Sequence, residues 1–206
     1  MLEALALDCI RGERTLFSRL SFTLARGSLL RVTGPNGSGK TSLLRILCGL
    51  AEPADGEVRW AGTAIRRSRE EYSRQLVYLG HANGVKDELT ARENLEIACV
   101  LCGLAASEDS RSGALAQLGL EACADLPVRL LSQGQRRRVA LARLPLAAAS
   151  PLWVLDEPFT ALDADAVAGT EALMRAQLRA GGSVVLTSHQ DVAIAADAAQ
   201  TVELGG

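Results

Sequence analysis

The stretch Leu29-Leu30-Arg31-Val32-Thr33-Gly34-Pro35-Asn36-Gly37-Ser38-Gly39-Lys40-Thr41-Ser42-Leu43-Leu44-Arg45-Ile46-Leu47 decides the fold. An apolar run of strand length enters a glycine-rich segment and leaves it in a run with helical apolar spacing. That is the pattern G-x-x-x-x-G-K-[ST] in the strand, loop and helix setting it requires. Only glycine lets a backbone fold tightly enough to aim successive N–H groups at phosphate oxygens, and the helix N-terminus adds its positive end. Gly34, Pro35, Asn36, Gly37, Ser38, Gly39, Lys40, Thr41 and Ser42 are therefore expected to cradle nucleotide phosphates. Lys40 would hold the β- and γ-phosphates and the Thr41 hydroxyl a Mg²⁺ ion. A plain glycine-rich turn has no need of Lys40 and Thr41 in this register.

Outward from this stretch, short apolar runs alternate with helical patterns, which predicts an α/β fold with a mainly parallel core sheet. Central strands are expected at 29–33, 75–79, 152–156 and 183–187. Shorter segments at 2–9, 20–24 and 57–61, separated by glycine-containing turns, predict a small antiparallel sheet beside it. From about residue 87 the pattern turns helical and no strand is visible. The chain thus reads as one domain, with a core of about 1–86 and 136–206 and an inserted helical subdomain of about 87–135. Thr90-x-x-Glu93 and Ser132-x-x-Gln135 have capping-box spacing, and each is expected to open a helix.

A second chemical signal is Leu152-Trp153-Val154-Leu155-Asp156-Glu157, an apolar strand ending in two carboxylates. A buried acid is costly unless a cation meets it, and beside a phosphate loop the cation for Asp156 is Mg²⁺. Glu157 then sits where a base could polarise an attacking water.

Composition narrows the classes further. With 22 Lys+Arg against 24 Asp+Glu, the net charge of -2 provides no global field for nucleic acid or anionic lipid. Hydrophobic residues make up 48% of the 206, yet the most apolar stretch, 139–155, is interrupted by Arg143, Pro145, Ser150 and Pro151 and cannot span a bilayer. The first residues alternate like a strand and lack the regions of a signal peptide, so a cytoplasmic protein is expected. Of the five cysteines, Cys9, Cys48, Cys99, Cys102 and Cys123, most lie in apolar patterns, and reduced, buried thiols are the default expectation. Cys99 and Cys102 form a C-x-x-C without a second pair or a following His, so neither a zinc site nor haem attachment follows. Arg66-Arg67-Ser68-Arg69-Glu70-Glu71 and Arg136-Arg137-Arg138 read as solvated helix faces.

Among phosphate-loop proteins, Leu131-Ser132-Gln133-Gly134-Gln135 is the discriminating feature. Between a phosphate loop and an acidic strand end, it resembles the L-S-G-G-Q signature of the ABC ATPase family, departing only at Gln133. Ala161-Leu162-Asp163 matches the family's D-loop and His189 its switch histidine. The resemblance covers essentially the whole chain. It implies ATP and Mg²⁺ as cofactors and two copies facing head to tail, each ATP lying between one chain's phosphate loop and Ser132, Gly134 and Gln135 of the other. Asp163 joins that interface, while Glu157, His189 and Lys40 carry the chemistry. Two positions depart from the family. His81 stands where the Q-loop glutamine, a metal contact alongside Thr41 and Asp156, is usual. Arg11 stands near the place of the adenine-stacking aromatic, where a guanidinium can stack in its stead.

Within the family, Glu13-Arg14-Thr15-Leu16-Phe17, Gly80-His81 with Gly84-Val85-Lys86, the run from Arg137 to Leu144 and Asp156-Glu157-Pro158-Phe159-Thr160-Ala161 are similar to the ATP-binding subunits of bacterial cytochrome c biogenesis haem-export systems. That resemblance implies integral membrane permease subunits as partners, a haem chaperone as an indirect one, no nucleic acid, and a peripheral place on the cytoplasmic face of the inner membrane. The alternative is the ATPase subunit of another ABC transporter or of a lipoprotein-release system. A chromosome- or repair-type ABC ATPase would need a long coiled-coil insertion, which the sequence lacks.

Overall fold

The computed structural model describes residues 1–188, 194, 196 and 198–205; His189 lies outside the described residues. Its strands are β1 (Leu2–Arg11), β2 (Arg14–Leu24), β3 (Leu29–Thr33), β4 (Asp55–Trp60), β5 (Thr63–Ala64), β6 (Leu76–Leu79), β7 (Leu152–Leu155), β8 (Ser183–Thr187) and β9 (Ala199–Glu203). The helices are α1 (Lys40–Leu47), α2 (Arg69–Ser73), α3 (Ala91–Leu101), α4 (Glu108–Gln117), α5 (Gln133–Leu141), α6 (Arg143–Leu146) and α7 (Ala164–Arg179).

The core sheet is parallel, in the order β6-β7-β8-β3-β9, and a smaller antiparallel sheet runs β2-β1-β4-β5. β7 and β8 are buried along their whole length, as expected of apolar runs covered on both faces. The period-two alternation divides them between two apolar clusters. Trp153, Leu155, Val184 and Leu186 pack with α7 and the helical block; Leu152, Val154 and Val185 pack with α1 and the antiparallel sheet.

Three strands depart from the sequence reading. β2 begins at Arg14 rather than near residue 20, because its first half alternates weakly and pairs with β1 along a hairpin. β9 and the two-residue β5 were not expected. β9, Ala-Gln-Thr-Val-Glu, has no apolar run because it is an edge strand, paired on one side with β3.

Both capping boxes form. Thr90 caps α3 with Glu93 reaching back, and Ser132 caps α5 with Gln135 doing the same. The buried Asn94 side chain accepts from Lys86 N and donates to the carbonyls of Lys86, Leu89 and Thr90, fixing the entry to α3. Cys9, Cys48, Cys99 and Cys123 are buried, and burial raises the pKa of Cys9, Cys48 and Cys99. Cys102 departs from this expectation. α3 buries the face of Ala91, Asn94, Leu95 and Cys99; Val100 (74%) and Leu101 (81%) turn away from it, and Cys102, the C-cap at the end of the helix, is exposed with them.

The helix behind the phosphate loop is tied at its far end by the buried Tyr72 hydroxyl, which donates to the Leu47 carbonyl at 2.6 Å. Tyr72→Phe leaves that buried carbonyl without this donor and is expected to lower stability by about 1–3 kcal/mol. Urea unfolding of the purified chain measures it, and an unchanged midpoint would show the bond to be inconsequential.

Candidate active site

Lys40 and Thr41 open α1 directly after Gly39, whose φ of 103° no L side chain adopts cheaply. Gly34, at φ 136°, is constrained by space as well: a side chain there would run into the Leu204 carbonyl and the Ser38 hydroxyl. The Lys40 ammonium donates to the carbonyls of Gly34 (2.7 Å) and Pro35 (3.1 Å). Ser38 Oγ is buried with no hydrogen-bond partner, an orphan donor inside the loop. Across the sheet, Asp156 stands at the end of β7, 2% exposed. Thr41 Oγ1 donates to its Oδ2 at 2.8 Å and Thr187 Oγ1 to its Oδ1 at 2.7 Å. Glu157 follows with φ 50°, and its N–H donates to the same Thr187 hydroxyl at 2.9 Å. Thr187 thus fixes both acidic positions from β8.

These groups face one cavity of about 550 Å³, lined by Asn36, Gly37, Gly39, Lys40, Thr41, Ser42, Asp156 and Glu157 from the core and by Arg11, Arg14 and Leu16 from the β1–β2 hairpin. His81, two residues beyond β6, lines it too. A second groove, lined by Glu52, Glu57, Arg66, Arg69 and Tyr72 among others, has neither the glycine-rich loop nor the paired strand-end carboxylates, so this cavity is the candidate site. Its lining sets the Lys40 ammonium and the Thr41 hydroxyl beside the two carboxylates of Asp156 and Glu157. Arg14 and Leu16 were not read as site residues from sequence. The hairpin turn at Gly12 brings them over the phosphate loop, so that Leu16 and Phe17 lie within 3.3 Å of a side chain placed at Gly39.

Ser132, Gly134, Gln135 and Asp163 do not line this cavity. Ser132 Oγ accepts from Gln135 N at 3.2 Å, and Gln135 Oε1 accepts from Ser132 N at 2.8 Å, so both side chains are engaged in the cap of α5. Gly134 packs on the turn before α7: a Cβ there would come within 2.6 Å of the Ala161 carbonyl. Asp163 caps α7, accepting from Ala166 N at 2.9 Å. The signature helix and the D-loop turn are therefore neighbours, a juxtaposition the sequence did not display.

The arginine run on α5 is not the solvated face expected of it. Arg137 is only 3% exposed and donates to the carbonyls of Gly80, Asp156, Glu157 and Pro158 and to Asn83 Oδ1, at 2.8–3.3 Å. Burial pushes its pKa down to about 10 while Asp156 and Glu157 pull it up, and it stays cationic at neutral pH. Arg136 pairs with Asp87 and donates to the carbonyls of Arg129 and Leu131, and Arg138 donates to that of Leu118. A charge run predicts solvent only where backbone carbonyls are not left unpaired nearby, and here the strand ends supply them. The 66–71 run is largely exposed, as expected.

The ABC transporter family model matches residues 17–160. The cytochrome c biogenesis ATP-binding export protein CcmA of Nitrosomonas europaea is 55% identical over 93% of this chain and 90% of its own. Its counterpart from Nitrosospira multiformis is 53% identical over 98% of both. The chain belongs to the CcmA family of ABC transporter ATP-binding proteins. Like others of the CcmA family it is an ATP-binding, ATP-hydrolysing subunit of a cytochrome c biogenesis system. Among solved structures, an ATP-binding subunit of an ABC transporter superposes with a TM-score of 0.80 at 27% identity, covering 91% of this chain and 79% of the other. An ATP-binding cassette solved as a dimer bound to ADP and Pi superposes at 0.85 and 24% identity, covering 99% and 96%, and shows the same fold. The mixed architecture, a parallel sheet with an antiparallel one beside it, is that of the CcmA family's ABC ATPase fold.

Proposed function

We propose that ATP occupies the 550 Å³ cavity, and the observation that carries this is the convergence there of Lys40 and Thr41 with Asp156 and Glu157, two pairs far apart in the sequence. Lys40 and the backbone of residues 34–42 would hold the phosphates, and Arg11 would face the base. The hard oxygen pair of Thr41 and Asp156 suits Mg²⁺, with His81 on the same wall as a further contact. When bound, the cation would neutralise charge on the β- and γ-phosphates. Glu157 would take the proton of the attacking water, and His189 would face the γ-phosphate.

The second half of the site comes from another copy of this chain. Ser132 and Gly134, with the first N–H groups of α5, form an anion-binding helix start outside their own chain's cavity, which fits a head-to-tail pair closing around ATP. Asp163 and Gln135 would border that interface. The helical subdomain, about 87–135, would dock integral membrane permease subunits. Exposed Ile97, Val100 and Leu101 on α3 support this, as isolated apolar groups of that size rarely cluster on a free surface. No described helix is long and apolar enough to cross a membrane. By the likeness to the cytochrome c biogenesis relatives, the chain would sit peripherally on the cytoplasmic face of the inner membrane. ATP turnover would drive haem export, or release of a haem-loaded chaperone, through those partners.

Two measurements test this. In a mixed pair with Ser132→Arg on one chain and Lys40→Ala on the other, both lesions fall in one composite site and the second site stays intact. Such a pair is expected to keep about half the wild-type ATPase rate. Complete loss, or normal turnover by a pair with Ser132→Arg on both chains, contradicts the shared site. Purified from its membrane, the complex is expected to contain integral subunits and haem absorbance; a complex without haem-handling partners contradicts the haem reading.

A further inference from the structure

Glu157 is held in a conformation that few side chains accept. Its φ of 50° is left-handed and it is followed by Pro158, which further limits the turn. Such a residue stays in place only where its surroundings over-determine it. Thr187 fixes its N–H, Thr160 N–H donates to its carbonyl at 3.2 Å, and the carbonyls of Asp156, Glu157 and Pro158 lie past the end of β7, outside the sheet ladder.

Arg137 supplies the donors. A guanidinium has five N–H groups in a rigid fork, and here five acceptors meet them: the carbonyls of Asp156 (2.8 Å), Glu157 (2.8 Å), Pro158 (3.3 Å) and Gly80 (3.1 Å), and Asn83 Oδ1 (3.0 Å). Three acceptors belong to the turn that carries Glu157. The other two belong to the loop after β6 that carries His81, and both His81 and Glu157 line the cavity. Arg137 itself does not line it, and it stands on α5, the helix whose start is Ser132. We propose that Arg137 is a positioning residue that holds Glu157 in place as base for the water that attacks ATP, by locking the turn after β7 to the loop after β6.

The proposal rests on the reading of Glu157 as the base. It gives one side chain a link between three segments: the helix that would meet the other copy's ATP, the loop facing the cavity wall, and the base. Lysine cannot replace it, because an ammonium has three donors at a single point and can make at most three of these five bonds. Glutamine loses the charge as well.

The test compares ATP turnover and ATP binding by the full chain in its membrane complex, for wild type, Arg137→Lys, Glu157→Gln and the double variant. Arg137→Lys is expected to lower kcat by about 10²-fold, the scale of a slightly misplaced catalytic group, with ATP affinity and the number of nucleotides bound per complex unchanged. In the double variant it should slow turnover no further than Glu157→Gln alone, because it acts through Glu157. Normal kcat in Arg137→Lys overturns the proposal. So does a fall in bound nucleotide with normal kcat per site, which marks mere loss of folded protein, or a fully multiplicative loss in the double variant. If Arg137→Lys fails to assemble, Asn83→Ala, which removes one acceptor from the loop, is expected to lower kcat at unchanged affinity; unchanged kcat there overturns the proposal. Near-normal turnover by Glu157→Gln overturns both the base reading and this one. Loss of turnover in Glu157→Gln with normal Arg137→Lys overturns this one alone.

Discussion

Glu157→Gln should bind ATP as wild type does and hydrolyse it about 10²- to 10⁴-fold more slowly, the loss expected when a well-placed general base is removed. The amide keeps the shape of the carboxylate, and the backbone bonds to Thr187 and Arg137 do not involve the side chain. Only proton acceptance is lost, so the effect should fall on kcat and leave affinity intact. If two copies close on ATP and reopen on turnover, as proposed above, the pair should accumulate in the ATP-closed state with hydrolysis blocked. Single-turnover hydrolysis beside equilibrium ATP binding on the membrane complex separates the two quantities. Turnover close to wild type would remove Glu157 from the role of base.

Lys40→Ala should fail one step earlier. Lys40 is the cation of the phosphate loop, nine-tenths buried, and its ammonium lies against the carbonyls of Gly34 and Pro35. Its removal takes away a charge-assisted donor to the phosphates and loosens the loop's own closure. A loss of at least about 10- to 10²-fold in ATP affinity is expected, the range of a hydrogen bond to a charged group. Turnover at any attainable ATP concentration should fall with it. Equal affinity for wild type and Lys40→Ala, measured by equilibrium binding, contradicts the assignment of the loop.

The two variants probe parts of the site that differed in how plainly they stood in the sequence. Residues 34–41 were legible because a phosphate cradle needs glycines, a lysine and a hydroxyl at fixed spacing on one continuous segment, and the flanking strand and helix carry their own periodicity. β7 and β8 were equally plain, since strands buried on both faces read as unbroken apolar runs. The polar edge strand β9 was invisible for the converse reason. Contacts between distant segments were hidden in another way. Nothing local to Thr187 says that its hydroxyl bridges Asp156 and the Glu157 N–H, and nothing local to Gly134 says that it abuts Ala161. Arg137 was misjudged because a run of three arginines resembles a solvated surface, and only the tertiary fold shows four carbonyls beyond the strand ends converging on it. The capping boxes, by contrast, are encoded within four residues each and formed as read.

The most direct test of the central claim, that ATP hydrolysis by this chain drives cytochrome c maturation, is made in cells whose only copy carries Glu157→Gln. A haem-stained gel of their membrane proteins reports c-type cytochromes, and a reduced-minus-oxidised spectrum reports b-type haem in the same membranes. Loss of the covalently haem-stained bands with b-type haem preserved is the predicted result. Normal c-type cytochromes in the variant would contradict the claim.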